Sequence, residues 1–393
     1  MDWGAGTVLS GLTVVETGDF VAAPYGGRLL FDLGARVIKL EPPAGELARR
    51  YGPFPGGVSH PEKSGLFTFL NTGKESVVVD LADATARERV RTLAARADVW
   101  VSGLPRRRMV DLGLDWDTLR AVNPGLVYCA VSTFGWSGPY CDRDGGGLHA
   151  AALASVSWAV GNPGRPPLDL PLAQADFQGG VNAACAILAA LYARRRTGSG
   201  QFIDIALADV LAYYTGIGAT LYVYYGLEWR RDGQRASGSM GPYPLGIFPC
   251  KDGLVLMICR TPRDWDRFLK AMGSPAWADN PRYRDQIAMG RDYPDEVDAL
   301  VRDLLKDHTR DALFQMARDQ GFALAPLRTV ADTLDDAQFA HRGFYRTLDL
   351  PGIGEVRLPG LPFRYANEDA RPLSAPPRLG EHTDAVFREF CEP

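Results

Sequence analysis

Few side chains in this sequence are spaced for covalent or acid–base chemistry. The cysteines Cys129, Cys141, Cys185, Cys250, Cys259 and Cys391 form no C-x-x-C pair, and most lie in apolar segments. That pattern fits reduced core residues better than a disulfide framework or a zinc site. The histidines His60, His149, His308, His341 and His382 contain no i,i+4 pair, so no metal site is expected. There is no G-x-S-x-G elbow, and no cysteine is placed with a histidine for thioester hydrolysis. Asp176 differs from all of these, because it stands before a long apolar stretch of helical spacing. Taken alone, an aspartate there reads as a helix cap worth about 1 kcal/mol. It also has a chemical use. The positive end of a helix dipole keeps a carboxylate ionised. Positioning against a reactive carbonyl lowers a barrier by roughly 7–11 kcal/mol, enough to turn a poor nucleophile into a covalent catalyst. Gly179 and Gly180 then read as room for a bulky substrate group beside the backbone.

The net charge of −4 gives no global basic field for nucleic acid. An anionic ligand must be met by local clusters, of which Arg49-Arg50, Arg106-Arg107-Arg108 and Arg194-Arg195-Arg196 are the candidates. A dinucleotide is not expected. The turn Thr17–Pro24 lacks the G-x-G-x-x-G glycines that let a pyrophosphate approach a helix N-terminus. Glu41 is then a solvated strand-end residue. Phe134 and Trp136 follow the C-terminal end of a strand, where ligands enter open α/β sheets. They read either as pocket lining or as core packing.

The elements that must hold these residues alternate. Strands at Leu12–Glu16, Arg36–Leu40, Val77–Asp80, Asp98–Ser102 and Leu126–Val131 are separated by helical patterns at Pro24–Leu33, Ala84–Arg96 and Trp116–Val122. This predicts an α/β fold with a doubly wound, Rossmann-like parallel sheet. After Asp176, the residues Val181, Ala184, Cys185, Leu188, Leu191 and Tyr192 trace a stripe that predicts a largely buried helix. Arg194–Arg196 suit its negative end. A strand is expected at Phe202–Ala206. A polar segment at 228–241 marks a change of domain. Strands at Leu245–Pro249 and Leu254–Ile258, then helices at Arg263–Met272, Tyr293–Leu305 and Thr309–Gln320, predict a small α+β domain. The expected division is a large domain from 1–224 and 329–393 and a small one with its linkers from 225–328. The first residues carry no basic n-region and no run of about 18 apolar residues exists, so neither a signal peptide nor a membrane span is expected. The expected location is cytoplasmic.

Six stretches in order resemble the class III CoA-transferases, whose members include formyl-CoA transferase and carnitine CoA-transferase. They are Leu9–Glu16 with Phe20–Pro24; Asp32–Pro42; Leu70–Ser76; Leu112–Leu114 through Asn123-Pro124 to Ser137–Tyr140; Ala175-Asp176 with Ile187–Leu191 and Thr197–Gln201; and Leu379–Asp384. The resemblance implies that Asp176 attacks an acyl-CoA thioester and carries CoA as an aspartyl-CoA thioester. CoA is then a substrate moiety, with no permanently bound cofactor. It implies CoA contacts from Val21, Ala22 and Ala23 at the pantetheine end, although several members carry glutamine where Val21 stands. It implies Asn71, Lys74 and the 102–111 region, including Leu104, at the adenine and phosphate end. Members often carry an arginine where Asp111 stands here, and Arg106, Arg107 and Arg108 are its candidate replacements. Phe134 is the candidate in the loop after the fifth strand, and 236–243 is a candidate lid. Arg230, Arg231 and Arg235 read either as a receptor for a second carboxylate or as solvated. The stretch around Glu16–Pro24 points toward C4–C5 dicarboxylates. Two chains threaded through each other as a homodimer are also implied. The same fold family holds α-methylacyl-CoA racemases, which need a histidine where Gly146 stands here. His149 then reads as a helix-start or buried structural residue. Racemization, intramolecular acyl-CoA isomerization and acyl-CoA hydrolysis remain the alternatives.

Overall fold

The computed structural model describes residues 7–235, 241–366 and 372–392. The chain forms two compact units. One is built from residues 1–154, 170–215 and 338–393, the other from 155–169 and 216–337. The second unit therefore takes a short excursion before Asp176, and its boundaries fall at 215 and 337 where the sequence pattern placed them at 224 and 328.

The first unit is built on successive β-α-β crossovers. Its elements are β1 Thr13–Thr17, α1 Ala22–Asp32, β2 Arg36–Glu41, α2 Gly65–Asn71, β3 Glu75–Val78, α3 Ala84–Ala95, β4 Val99–Ser102, α4 Arg106–Leu112, α5 Trp116–Val122, β5 Val127–Ser132, α6 Gly147–Leu153, α7 Gln174–Thr197, β6 Phe202–Ala206 and α8 Leu207–Tyr214. The six strands pair in parallel in the order β3-β2-β1-β4-β5-β6. The strands alternate, and each face buries its own row. Val15, Ile38, Trp100 and Tyr128 pack under α3. Val14, Val37, Val101 and Val131 are buried on the other face, where α1 packs on β1 and α7 on β5. Strand order reverses between β1 and β4, so the crevice beyond their C-terminal ends is the expected ligand site.

The second unit contains α9 Gly216–Tyr225, β7 Leu245–Cys250, β8 Gly253–Ile258, α10 Pro262–Ala271, α11 Gln286–Asp292, α12 Pro294–Leu305, α13 Arg310–Gln320, β9 Ala323–Pro326 and α14 Val330–Leu334. Strands β7, β8 and β9 form an antiparallel sheet over a core that includes Phe248, Trp265, Phe268 and Val301. The chain then returns through α15 Ala337–His341, the hairpin β10 Tyr345–Leu350 and β11 Gly354–Pro359, and α16 Thr383–Cys391. Val386, Phe387 and Phe390 of α16 enter the core beneath α3.

Helix α7 begins at Gln174, so Asp176 lies inside its first turn and not ahead of it. Ala173 occupies the cap position with a left-handed backbone and makes no side-chain cap bond. Asp176 is therefore not the N-cap residue of α7.

Candidate active site

A cavity of about 690 Å³ opens at the C-terminal edge of the parallel sheet. Its wall includes the turn after β1 at Asp19, Phe20, Ala22 and Ala23, the loop after β5 at Ser132–Gly135, the arginines Arg106–Arg108, and Asp176. A second cavity of about 300 Å³ lies beside it, lined by Gly18, Pro42, Leu81, Leu104 and Leu112 among others. Asp19 and Arg108 border both.

Asp176 is half-buried on the cavity wall. Its position in the first turn places it near the positive pole of a 24-residue helix. Gly147, the first residue of α6, abuts it. A Cβ there would stand 2.6 Å from Asp176 Oδ2. Gly145 plays the same part for Phe134, whose ring would lie 2.9 Å from a Cβ at that glycine. Phe134 packs edge-on against Tyr140 at 5.8 Å, and the Arg143 guanidinium lies 4.7 Å from the Tyr140 ring centroid. All three line the cavity. Gly179 and Gly180 do not make room for substrate. A Cβ at Gly179 would meet Leu207 at 2.2 Å, and one at Gly180 would meet the Ala22 carbonyl at 2.7 Å. These glycines let α7 close on α8 and α1.

The arginines differ from one another. Arg106 forks onto Asp142 at 3.1 and 3.0 Å, and Arg107 reaches the same carboxylate at 3.6 Å. The Arg106 hydrogen bond holds the Asp142 carboxyl below the usual range. Arg108 is exposed and, among the described residues, has no ion-pair partner. Arg49 is structural. It is buried, forks onto Glu41 at 2.6 and 2.8 Å, reaches Glu62 at 3.0 Å and lies over Phe67. Glu41 is thus a buried ion-pair partner and not a solvated strand end. Arg194 is tied to Asp98 at 2.8 Å.

Several expected contacts are displaced. Asn71 and Lys74 are buried beneath the turn after β1 and line neither cavity. Lys74 Nζ donates to Glu16 Oε2, the Pro24 carbonyl and Asn71 Oδ1 at 2.7, 2.7 and 2.9 Å. Burial pulls the Lys74 ammonium down to about 8 against the attraction of Glu16. Val21 is also buried, while its neighbours Ala22 and Ala23 line the larger cavity. Trp136 packs with Tyr128 and Phe202 in the core and lines neither cavity. In the second unit, Arg231 donates to the carbonyls of Asn162, Arg165 and Trp158, and Arg235 pairs with Asp298 and Asp295. Both are engaged within their own unit. Residues 236–240 of the expected lid lie outside the described residues. Tyr243 at its end is buried and bonded to Asp298. His149 is an exposed residue of the first turn of α6, and its Nδ1 accepts the Gly146 N–H at 3.3 Å.

Sequence reasoning missed Gly147, Tyr140 and Arg143. The run Gly145-Gly146-Gly147 carried the signal for the first, because three glycines ahead of a helix mark close approach by other groups.

A parallel sheet in this order, with a carboxylate at the head of a long helix facing its switch point, defines an α/β enzyme with its ligand crevice at the strand ends. The sequence model of CoA-transferase family III matches residues 9–383, and the chain belongs to that family. It is 30% identical over 391 residues to the succinyl-CoA–L-malate CoA-transferase alpha subunit of Chloroflexus aurantiacus, covering 98% of this chain and 89% of that one. It is 30% identical over 387 residues to the succinate–glutarate CoA-transferase of Agrobacterium fabrum, covering 97% and 95%. The crystal structure of a CAIB/BAIF family protein from Brucella suis superposes with a TM-score of 0.87 at 31% identity, over 98% of this chain and all of that one. Among the described residues, no helix is long and apolar enough to cross a membrane.

Proposed function

We propose that this enzyme moves CoA from an acyl-CoA thioester to a free carboxylate, with Asp176 carrying CoA between them. The observation that supports this reading is the place of Asp176: in the first turn of α7, on the wall of the larger cavity, flush against Gly147.

The proposed chemistry balances without ATP. An Asp176 oxygen attacks the thioester carbonyl, the C–S bond breaks, and CoA leaves as thiolate. The thiolate attacks the aspartyl carbonyl of the resulting anhydride and expels the donor carboxylate, leaving aspartyl-CoA. An acceptor carboxylate attacks that thioester and again releases the thiolate. The thiolate then takes the acceptor acyl carbon and frees Asp176. The dipole end of α7 keeps Asp176 ionised at the start, and each step exchanges one activated acyl bond for another.

In this reading the adenine end of CoA occupies the smaller cavity at Pro42, Leu81 and Leu104. Arg108 meets its phosphates where the two cavities join. The pantetheine arm follows Asp19–Ala23 to Asp176. Phe134 and Tyr140 flank the acyl group. Arg143 is the cation for a second carboxylate, in keeping with relatives named for malate, succinate and glutarate. Gly146 stands where a racemase needs its histidine, which favours transfer over α-proton exchange.

The test is a matrix of acyl-CoA donors and carboxylate acceptors read by mass spectrometry, with the peptide bearing Asp176 scanned for a CoA adduct. Asp176→Asn should lose transfer by more than about a thousandfold, as loss of a covalent nucleophile does. Full activity in that variant would refute the mechanism. Solvent deuterium exchange into the acyl-CoA without transfer would revive the racemase reading.

A further inference from the structure

Beneath the turn after β1 lies a closed ring of buried polar side chains. Lys39 Nζ donates to Glu16 Oε1 at 2.8 Å and stands 3.3 Å from Glu46 Oε1. Lys74 takes the other Glu16 oxygen, and Asn71 joins Lys74 back to Glu46 through bonds of 2.9 and 3.4 Å. All five side chains are at most 2% exposed. Two carboxylates and two ammoniums cancel, so the ring carries no net charge.

Three of the ring's bonds to backbone reach the turn after β1. Lys39 donates to the Gly18 carbonyl at 3.2 Å, Glu46 Oε2 accepts the Phe20 N–H at 3.0 Å, and Lys74 donates to the Pro24 carbonyl at 2.7 Å. Together they bracket Val21–Ala23. Phe20 needs the help, because its φ of +66° is a left-handed conformation that a non-glycine residue rarely holds without surrounding support. Its ring is fixed in turn against Tyr51 at 4.9 Å. Phe20, Ala22, Ala23 and Tyr51 all line the larger cavity.

We infer that Glu46 is a positioning residue for the acyl-CoA: it holds the Phe20 N–H so that the Asp19–Ala23 turn keeps the shape that receives the ligand. Asn71 and Lys74 support the same turn through this ring. The inference rests on the transfer reading for the identity of the ligand. A pre-shaped turn saves ordering cost on binding, so its loss appears in affinity and not in the bond-making step.

The experiment compares Glu46→Ala, Glu46→Gln and Phe20→Pro with the wild-type enzyme. CoA affinity is read by titration calorimetry, with KM and kcat for an acyl-CoA alongside. Glu46→Ala also removes the bonds to Asn71 and the Ala48 N–H and the Lys39 pair. Through the lost Phe20 bond it should weaken CoA binding and raise the acyl-CoA KM about tenfold, the scale of one charge-assisted hydrogen bond, with kcat within about threefold. Glu46→Gln should recover part of the affinity, because its amide oxygen still accepts the Phe20 N–H while its amide nitrogen faces the donors Lys39 and Asn71. Phe20→Pro deletes that N–H and forbids the positive φ. It leaves the buried polar side chains in place but removes the phenyl group that packs on Tyr51, so Phe20→Ala, which keeps the N–H, is its control. Phe20→Pro should match Glu46→Ala, and it carries the test if Glu46→Ala does not fold. Wild-type affinity in folded Glu46→Ala or Phe20→Pro overturns the inference, as does a Glu46→Gln enzyme no better than Glu46→Ala. A wild-type enzyme that binds CoA but transfers nothing sinks the transfer reading, while the calorimetric comparison still decides the positioning role.

Discussion

Gly147 is where a single methyl group would meet the proposed chemistry. Its hypothetical Cβ would lie inside the contact distance of Asp176 Oδ2, so the carboxylate would have to swing to another rotamer along the cavity wall. Gly147→Ala should therefore turn Asp176 away from its attack line and lower kcat about a hundredfold, the scale of a misplacement near 1 Å. Stability should change by less than about 1.5 kcal/mol, since Gly147 is only half-buried. Single-turnover formation of the aspartyl adduct is the measurement. An unchanged rate would place the reactive conformer of Asp176 away from Gly147. The sequence revealed Asp176 only through the motifs around it, since its local signal was that of a cap. The structure removes the cap reading for a local reason: α7 starts two residues earlier, on Gln174, and leaves Asp176 facing the cavity.

At the scale of elements, the alternation of β-branched runs with helical stripes was visible because each crossover is a local pattern. The long-range pairings were not. Nothing local to Arg49 or Glu41 announces that they meet across the end of β2, so Arg49 read as an anion receptor and Glu41 as solvated. Burial pushes the Glu41 carboxyl up, but the Arg49 fork, Lys39 and the Ser76 hydroxyl outweigh it and hold it below the usual range. A carboxyl whose folded value lies below its unfolded value, near 4.3 for Glu, stabilises the fold above about pH 4.3. That contribution fades as pH falls through the folded value. Glu41→Gln leaves Arg49 half-paired in the interior and should cost about 3 kcal/mol at pH 7. Denaturant unfolding at pH 7, 5 and 3.5 should show the gap between variant and wild type closing at the acid end. A gap independent of pH would mean that Glu41 is not ionised in the fold.

At the scale of the whole molecule, the stripe of α7 is the instructive case. Its spacing predicted a helix buried on the face carrying Val181, Ala184, Cys185, Leu188, Leu191 and Tyr192. In the single chain Ala184 and Leu191 of that stripe are buried, together with Ala175, Gly179, Gly180, Ala183, Ile187 and Ala190. Val181 and Tyr192 are 44% and 70% exposed, and Cys185 is exposed as well. Tyr213 of the adjoining α8 is 85% exposed and Tyr214 56%. Single exposed apolar residues are ordinary, but a row of them on packed neighbouring helices marks an interaction surface. A second copy of the chain is the occupant proposed for it, because the exposed members of the stripe, Val181, Cys185 and Tyr192, would then be buried between two chains. Light scattering on the purified enzyme should return twice the chain mass of 42.8 kDa. The threaded dimer that the family resemblance implies could not separate without unfolding; for it, dilution to about 10 nM should leave the mass unchanged, whereas a docked dimer obeys mass action. Val181→Asp with Tyr192→Asp should yield monomer or insoluble protein, since a charge at the centre of an apolar interface is strongly disfavoured. A wild-type enzyme of single-chain mass would remove the dimer and leave the α7 stripe without an occupant.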